Sequence, residues 1–310
     1  MANNEEFVNQ LKNRKIGVLY GGISSEREIS ILSGKAVLSA LKKMKLNVCG
    51  IDVNRNVEKK IKKEKIDIAY LALHGQVVED GTLQGMLEIL GIAYTGSGVL
   101  ASSLSMDKNI SKNLFKCVNI LTPQWNVLKK NEILSDINYP IVVKPVACGS
   151  ALGVTIAKNF KEFTKAAKKA FEYDSEIIIE QFVRGKEITV GVLTGKALPV
   201  IEIVPTKSQF YDYKAKYQKG CSKHIIPANI SKKAYNTAQG YAEKIYKFFR
   251  CKAVCRVDMI VDKNDKVWVL ENNTIPGMTE TSLLPDASRV AGYNFGDLVL
   301  KIIESSIRNA

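Results

Sequence analysis

Residues 254–279 read VCRVDMIVDKNDKVWVLENNTIPGMT. Apolar and polar side chains alternate at both ends of this stretch, and Asp262-Lys263-Asn264-Asp265 interrupts them. The pattern predicts two strands, Ala253–Val261 and Lys266–Asn272, paired as a hairpin. Alternation puts Arg256 and Asp258 on one face and Cys255, Val257 and Met259 on the other. Glu271 and Asn273 likewise share a face. Asp258, Glu271 and Asn273 are oxygen ligands of the kind Mg²⁺ takes, with water and nucleotide phosphates completing the set. Arg256 beside them could stabilise charge on a transferring phosphoryl group. A surface ion-pair network would explain the charges, but not their place on an otherwise apolar strand pair. Pro276-Gly277 then forces a turn. It is either a plain strand end or a source of N–H groups for an oxyanion.

Upstream, Glu187–Leu193 and Ala197–Val204 read as further strands, and Ser231–Phe249 as a helix. Thr206–Lys223 is rich in Lys and Tyr with little periodicity, which predicts a long mobile loop of functional kind. Before it, Pro140–Lys144, Gly153–Ala157 and Glu176–Phe182 read as strands and Phe160–Phe171 as an amphipathic helix. Lys144 ends an apolar strand, where an ammonium suits a phosphate. Lys108 is grouped with it. The turn from Cys148 to Gly153 could fold over phosphates through its N–H groups or be an ordinary hairpin turn. No GxxxxGK[ST] loop occurs in the chain.

The first hundred residues alternate strands (Lys15–Tyr20, Asn47–Val53, Asp67–Leu73, Ile92–Thr95) with helices. That order implies a parallel sheet covered on both faces, with ligands at the carboxyl ends of its strands. Gly21-Gly22 and His74-Gly75 both follow strand ends and are expected to share one crevice. GGISSEREIS, Gly21–Ser30, lacks the GxGxxG spacing of a dinucleotide fingerprint. Ser24 or Ser25 is the expected N-cap of the helix that follows. Glu26 at that helix start either complements the helix dipole or holds a ligand's ammonium group. Ile29, Leu32, Ala36, Val37, Ala40 and Leu41 mark the apolar positions of the helix. Helices Ser282–Val290 and Phe295–Ser305 close the chain.

Composition narrows the class. The chain has 310 residues, 46% hydrophobic and 25% charged, which excludes disordered and fibrous classes. Its net charge is +14, carried by 37 lysines and only 8 arginines. Such a balance raises nucleic acid, an anionic membrane or a phosphorylated ligand as partners. The lysines are spread over helices, which fits a solvated surface, so no nucleic acid is expected. No apolar run approaches about 18 residues and the start lacks a secretory core region, so no membrane and a cytoplasmic location are expected. Six scattered cysteines without CxxC argue against a disulfide scaffold. Cys251 and Cys255 read as a buried pair rather than ligands. With only His74 and His224, a histidine metal site is nearly excluded.

GGISSEREIS, ALHGQVVEDGTLQGMLEILGIAYTGSG, SMDK, VVKP, FYDYKAKY, RVD and LENNTIPGMTETSL occur in this order. Together they resemble the D-alanine–D-alanine ligases, ATP-grasp enzymes, from about Lys15 to Ile303. The resemblance implies an α/β and α+β chain. An N-terminal doubly wound substrate-binding domain (1–106) would precede a central (107–186) and a C-terminal (187–310) ATP-grasp subdomain that sandwich ATP. The lid would be loop 206–223. The resemblance implies that Lys108, Lys144 and Lys216 contact nucleotide phosphates or substrate. Glu180, Gln181 and Val183 would lie near adenine and Glu187 at the ribose. Asp258, Glu271 and Asn273 would bind two Mg²⁺ or Mn²⁺ ions. Glu26 would hold the first D-alanine's ammonium with His74 nearby, and Ser282 and Leu283 the second D-alanine. Arg256 and the Gly277 backbone would stabilise the transition state. Ser150 and Tyr217 would join Glu26 in a triad that ties the lid shut. The implied activity is ATP-dependent synthesis of D-alanyl-D-alanine for peptidoglycan, by a homodimer. Relatives that make D-Ala-D-lactate or D-Ala-D-Ser are the alternative, and the Lys216-Tyr217 pair favours the dipeptide. The chain departs from the pattern at Cys148, where the family commonly has Glu, at Gln181, where Lys is common, and at Glu280.

Overall fold

The structure is a computed structural model that describes residues 2–24, 26–75, 77–130, 132, 137–206 and 220–307. The chain opens with α1 (Ala2–Leu11), β1 (Ile16–Gly21), α2 (Arg27–Lys43), β2 (Val48–Val53), α3 (Val57–Glu64), β3 (Ile68–Leu71), α4 (Thr82–Ile89) and β4 (Ala93–Tyr94). The strands form a parallel sheet in the order β2-β1-β3-β4. Its faces separate by alternation. Leu19, Ala69 and Leu71 pack against Ile61 of α3 and Leu83 and Leu87 of α4. Ile16, Val18, Ile68 and Tyr70 face Phe7, Leu11, Val37 and Leu41 from α1 and α2. Both faces are covered, as the alternating order requires.

Two helices follow, α5 (Val99–Met106) and α6 (Lys108–Cys117). Asp107 between them caps α6, accepting the Ile110 N–H at 2.8 Å. The next layer is an antiparallel sheet of β5 (Trp125–Lys129), β6 (Ile141–Pro145), β7 (Thr155–Ala157) and β8 (Glu176–Gln181), in the order β5-β8-β6-β7. Helix α7 (Phe160–Ala170) packs Phe163, Ala166 and Ala170 on the face that carries Ile141, Val143, Ile177 and Ile179. Val142, Lys144, Ile178 and Glu180 therefore occupy the opposite face.

The largest sheet runs β12-β11-β9-β13-β14 and is also antiparallel. Its strands are β9 (Gly185–Leu193), β10 (Lys196–Ala197), β11 (Ile201–Pro205), β12 (Ser222–Ile225), β13 (Val254–Asp262) and β14 (Val267–Asn273). Two sequence expectations need correction here. The strand expected over Ala197–Val204 is broken: β10 pairs with β9, and β11 starts only at Ile201. The loop expected over 206–223 does not reach its expected end, because Ser222 and Lys223 pair with Pro205 and Val204 in β12, and 207–219 lie outside the described residues. The short apolar content of SKHI hid this strand. Helix α8 (Lys232–Phe248), capped by Ser231, covers one face of the sheet with Ala234, Ala238, Ala242 and Ile245.

The chain ends in α9 (Leu283–Val290) and α10 (Phe295–Ile307). Helix α10 runs back to the first sheet. Its Leu298, Val299, Ile302 and Ile303 pack with α1, α2 and the first sheet, and Ser306 accepts the Gly96 N–H at 3.0 Å. Helices α5 and α6 pack the other way. Ala101 and Phe115 enter the core under β9 and β13.

Candidate active site

The hairpin at 254–273 pairs as its sequence predicts, with Arg256 opposite Asn273 and Asp258 opposite Glu271. Strict alternation would place Glu271 and Asn273 on the same side as Val267 and Val269, which are core residues. The register shifts between Asp258 and Met259, so β14 has one extra residue, Leu270, at that point. This β-bulge reverses the parity of the strand. Val267 and Val269 stay in the core, and Glu271 and Asn273 turn to the open face beside Arg256 and Asp258.

On that face Asp258 is fully engaged. Its Oδ1 accepts from Arg256 Nε at 2.9 Å and from Thr189 Oγ1 at 2.6 Å, and its Oδ2 accepts from Arg256 at 2.8 Å. Arg256 and Asp258 are both buried. Glu187 lies on the same face, opposite Ile260. Among the described residues no three His, Cys, Asp or Glu side chains cluster as a metal cage. The donor set of two carboxylates and one amide, side by side on the bulged hairpin, nevertheless fits a hard cation that keeps water or phosphate oxygens.

The first sheet contributes from the carboxyl ends of β1 and β3. Glu26 is the N-cap residue of α2 and makes no side-chain cap bond, which corrects the expectation of a serine N-cap. Ser24 instead donates to the His74 carbonyl at 2.7 Å and accepts the Glu26 N–H. Ser25 lies outside the described residues. The Glu26 carboxylate is buried and accepts a hydrogen bond from Ser150. His74 is buried too, with Nδ1 3.9 Å from Glu79 and Nε2 3.3 Å from Ser33 Oγ.

Helix α2 departs from its apolar pattern. The buried face is Ser30, Ser33, Gly34, Val37 and Leu41, while Leu32 is exposed. Ser30 accepts the Gly21 N–H and donates to the Ala72 carbonyl, and Ser33 accepts the Met278 N–H. Small hydroxyls thus tie α2 to the sheet and to the turn after β14, and Ile29, Leu32 and Ala36 are left to line a cavity.

That cavity of about 380 Å³ is lined by Glu26, His74, Lys108, Ser150, Arg256, Glu271, Asn273, Gly277, Ser282 and Leu283, all singled out from sequence. Glu79 also lines it and was not singled out, although it stands in the EDG stretch. Lys144, Glu180, Gln181, Val183, Glu187 and Asp258 do not line it. Lys216 and Tyr217 lie outside the described residues.

Lys108 ties the parts together. Its Nζ donates to the Cys148 carbonyl at 2.5 Å and lies 3.9 Å from Glu271. In the loop after β6, Ser150 and Ala151 both adopt the left-handed region, φ 52° and 56°, a strained state for residues with a Cβ. Gly149 approaches the acids so closely that a Cβ there would stand 3.1 Å from Glu79 and 3.4 Å from Glu26. Burial pushes the Cys148 thiol up, so this position is uncharged next to Lys108. After β14, Ser282 Oγ accepts the Thr279 N–H at 3.0 Å and lies 2.7 Å from Thr279 Oγ1.

On the inner face of the central sheet, Glu180 pairs with Lys144 at 2.9 Å and with Lys112 at 2.8 Å. Its carboxylate is therefore occupied by lysines. Burial raises the Glu180 carboxyl, but the two lysines outweigh it and hold it below the usual range.

Residues 109–304 match the family model described as D-ala D-ala ligase C-terminus, and residues 53–97 the one described as D-ala D-ala ligase N-terminus. The chain belongs to the D-alanine–D-alanine ligase family. The family member of Citrifermentans bemidjiense is 46% identical over 300 residues, 96% of this chain and 98% of its own. That of Carboxydothermus hydrogenoformans is 45% identical over 303 residues, 93% and 97% of the two chains. Among solved structures, the Bacillus anthracis D-alanine–D-alanine ligase complexed with ATP superposes with a TM-score of 0.84 at 37% identity, covering 96% and 98%. The VanG D-Ala:D-Ser ligase of Enterococcus faecalis gives 0.81 at 30%, covering 95% and 99%. The fold is the ATP-grasp fold of this ligase family.

Proposed function

We propose that the chain joins two D-alanine molecules into D-alanyl-D-alanine, a peptidoglycan precursor, at the expense of ATP. The observation that carries this reading is the single cavity in which Glu26, Lys108, Ser150, Arg256, Glu271 and Gly277 meet from three sheets. A carboxylate is a poor electrophile. Transfer of the γ-phosphoryl group to the first D-alanine forms an O–P bond, releases ADP and supplies a leaving group. The second amine then attacks the carbonyl carbon, loses its proton, and phosphate leaves as the C–N bond is made.

Each residue has a chemical part in this reading. Glu26, steadied by Ser150, holds the first ammonium group, with His74 and Glu79 beside it. Lys108 and Lys144 meet phosphate oxygens, and Lys216 meets phosphate or substrate. Arg256 neutralises charge on the phosphoryl group, and the Gly277 N–H faces the developing oxyanion. Ser282 and Leu283 seat the second D-alanine. Gln181 and Val183 flank adenine with the Glu180 backbone, and Glu187 meets the ribose. Asp258, Glu271 and Asn273 would hold two Mg²⁺ or Mn²⁺ ions, which supply charge neutralisation between phosphates. Tyr217 and its loop exclude water from the acyl phosphate. We read the chain as three units, about 1–106, 107–186 and 187–310, with α10 returning to the first, and the assembly as a homodimer.

The deciding experiment is phosphate release from ATP by the purified chain. It is expected with D-alanine and absent with L-alanine. Release that ignores D-alanine would overturn the reading. Offering D-lactate and D-serine as second substrates separates the dipeptide ligase from its relatives.

A further inference from the structure

Lys112 has no exposed surface and ranks among the largest fully buried side chains, yet the proposed chemistry gives it no task. It lies one helical turn beyond Lys108 on α6. Its Nζ reaches three acceptors: Thr122 Oγ1 at 2.5 Å, the Pro123 carbonyl at 3.1 Å and Glu180 Oε2 at 2.8 Å. Two hydrogen bonds and this ion pair hold the Lys112 ammonium in one place. Thr122 in turn donates to the Val269 carbonyl of β14 at 2.8 Å, which anchors the cluster to the large sheet.

Lys144 Nζ approaches the same oxygen of Glu180, at 2.9 Å. Two lysines thus share one carboxylate, all three side chains being almost fully buried. The cluster carries one surplus positive charge. Charge in such a place is costly unless it is compensated. Among the described residues Lys144 has no other acidic partner. Alternation puts Lys144 and Glu180 on the face of the central sheet turned away from α7, so an anion approaching from that side would supply the compensation.

We propose that Lys112 is a positioning residue for nucleotide binding: by sharing the Glu180 carboxylate, it leaves Lys144 only half neutralised and so able to bind a nucleotide phosphate. The inference rests on the reading that Lys144 meets a phosphate of ATP. Lys112 itself touches no ligand. Without it, Glu180 would pair with Lys144 alone and cancel its charge. A purely structural lysine would lower stability when removed but would not set ATP affinity through Glu180.

The test compares Lys112→Met, Glu180→Gln, the double variant and Lys144→Met by calorimetric titration with ATP and Mg²⁺. Thermal unfolding and the KM for D-alanine are measured alongside. Lys112→Met should raise the Kd for ATP on the order of tenfold, with the D-alanine KM unmoved. Adding Glu180→Gln should restore most of that loss, because Lys144 is then released. If Lys144→Met weakens ATP but Lys112→Met does not, this inference fails and the phosphate reading of Lys144 stands. Unchanged affinity in Lys144→Met would overturn both. Should Lys112→Met not fold, the double variant is compared with Glu180→Gln. Equal affinities support the proposal, and a further loss on removing Lys112 overturns it.

Discussion

Arg256 carries the most of the proposed chemistry. Its guanidinium holds Asp258 with two hydrogen bonds, and it also lines the cavity. Arg256→Ala is expected to lower kcat on the order of 100-fold or more, since a preorganised cation at developing charge is lost. Near-normal turnover in that variant would remove Arg256 from the mechanism. Gly277 makes a second residue-scale prediction. A Cβ there would stand 2.9 Å from Ser282 Oγ, which is hydrogen-bonded to Thr279. Gly277→Ala should displace that hydroxyl and raise the KM of the second D-alanine more than that of ATP. Steady-state kinetics with each substrate varied in turn would reveal it, and equal effects on both would contradict it.

At the scale of elements, the extra residue in β14 decides which way the acids point. Deleting Leu270 would remove the bulge, but Glu271 would then follow Val269 directly, so plain alternation keeps Glu271 and Asn273 on the open face. Activity should therefore survive the deletion in a folded variant, and an activity assay with circular dichroism checks it: a folded but inactive protein would contradict this account. Helix caps give a quieter contrast. Asp107→Ala and Ser231→Ala each remove one N-cap bond and should each cost about 1 kcal/mol in urea unfolding. Only the first should raise the KM for ATP, because α6 carries Lys108 and Lys112, whereas α8 carries neither. Equal kinetic effects would count against that distinction. Many strands and helices were legible because period and turn residues mark them directly, whereas α1, α5, α6, β5 and β12 were not read from the sequence. The site was legible as residue types, but the bulge was not: Val267, Val269, Glu271 and Asn273 all fall on one face by simple counting. The buried stripe of α2 was hidden for a related reason. Ser30 and Ser33 are buried by hydrogen bonds to partners more than 40 or 200 residues away in sequence. A pattern of hydropathy contains no trace of such partners.

Over the whole molecule, the net charge of +14 proves a poor guide to the partner. Among the described residues the cavity is lined by Lys108 and Arg256, and most lysines lie elsewhere. No helix among the described residues is long and apolar enough to cross a membrane. One buried lysine nevertheless links charge to global stability. Burial pushes Lys112 down to about 8 from 10.5, with Glu180 pulling it back up and Lys144 and Lys116 pushing further down. The folded state releases this proton before the unfolded chain does. The resulting penalty is fully present below about pH 8 and is relieved as pH climbs toward 10.5. Urea unfolding at about pH 7.5 and about 9.5 should show the wild type gaining stability relative to Lys112→Met. Parallel pH profiles for the two proteins would refute that linkage.

The return of α10 to the first sheet bears on how the chain is made. Synthesis runs from the N-terminus, so the strands that carry Ile16, Val18 and Tyr70 emerge long before Leu298, Ile302 and Ile303, which cover them. Until residues 295–307 have left the ribosome, that face of the oldest sheet has only α1 and α2 to cover it. The earliest part of the chain to be translated is therefore among the last to complete its core.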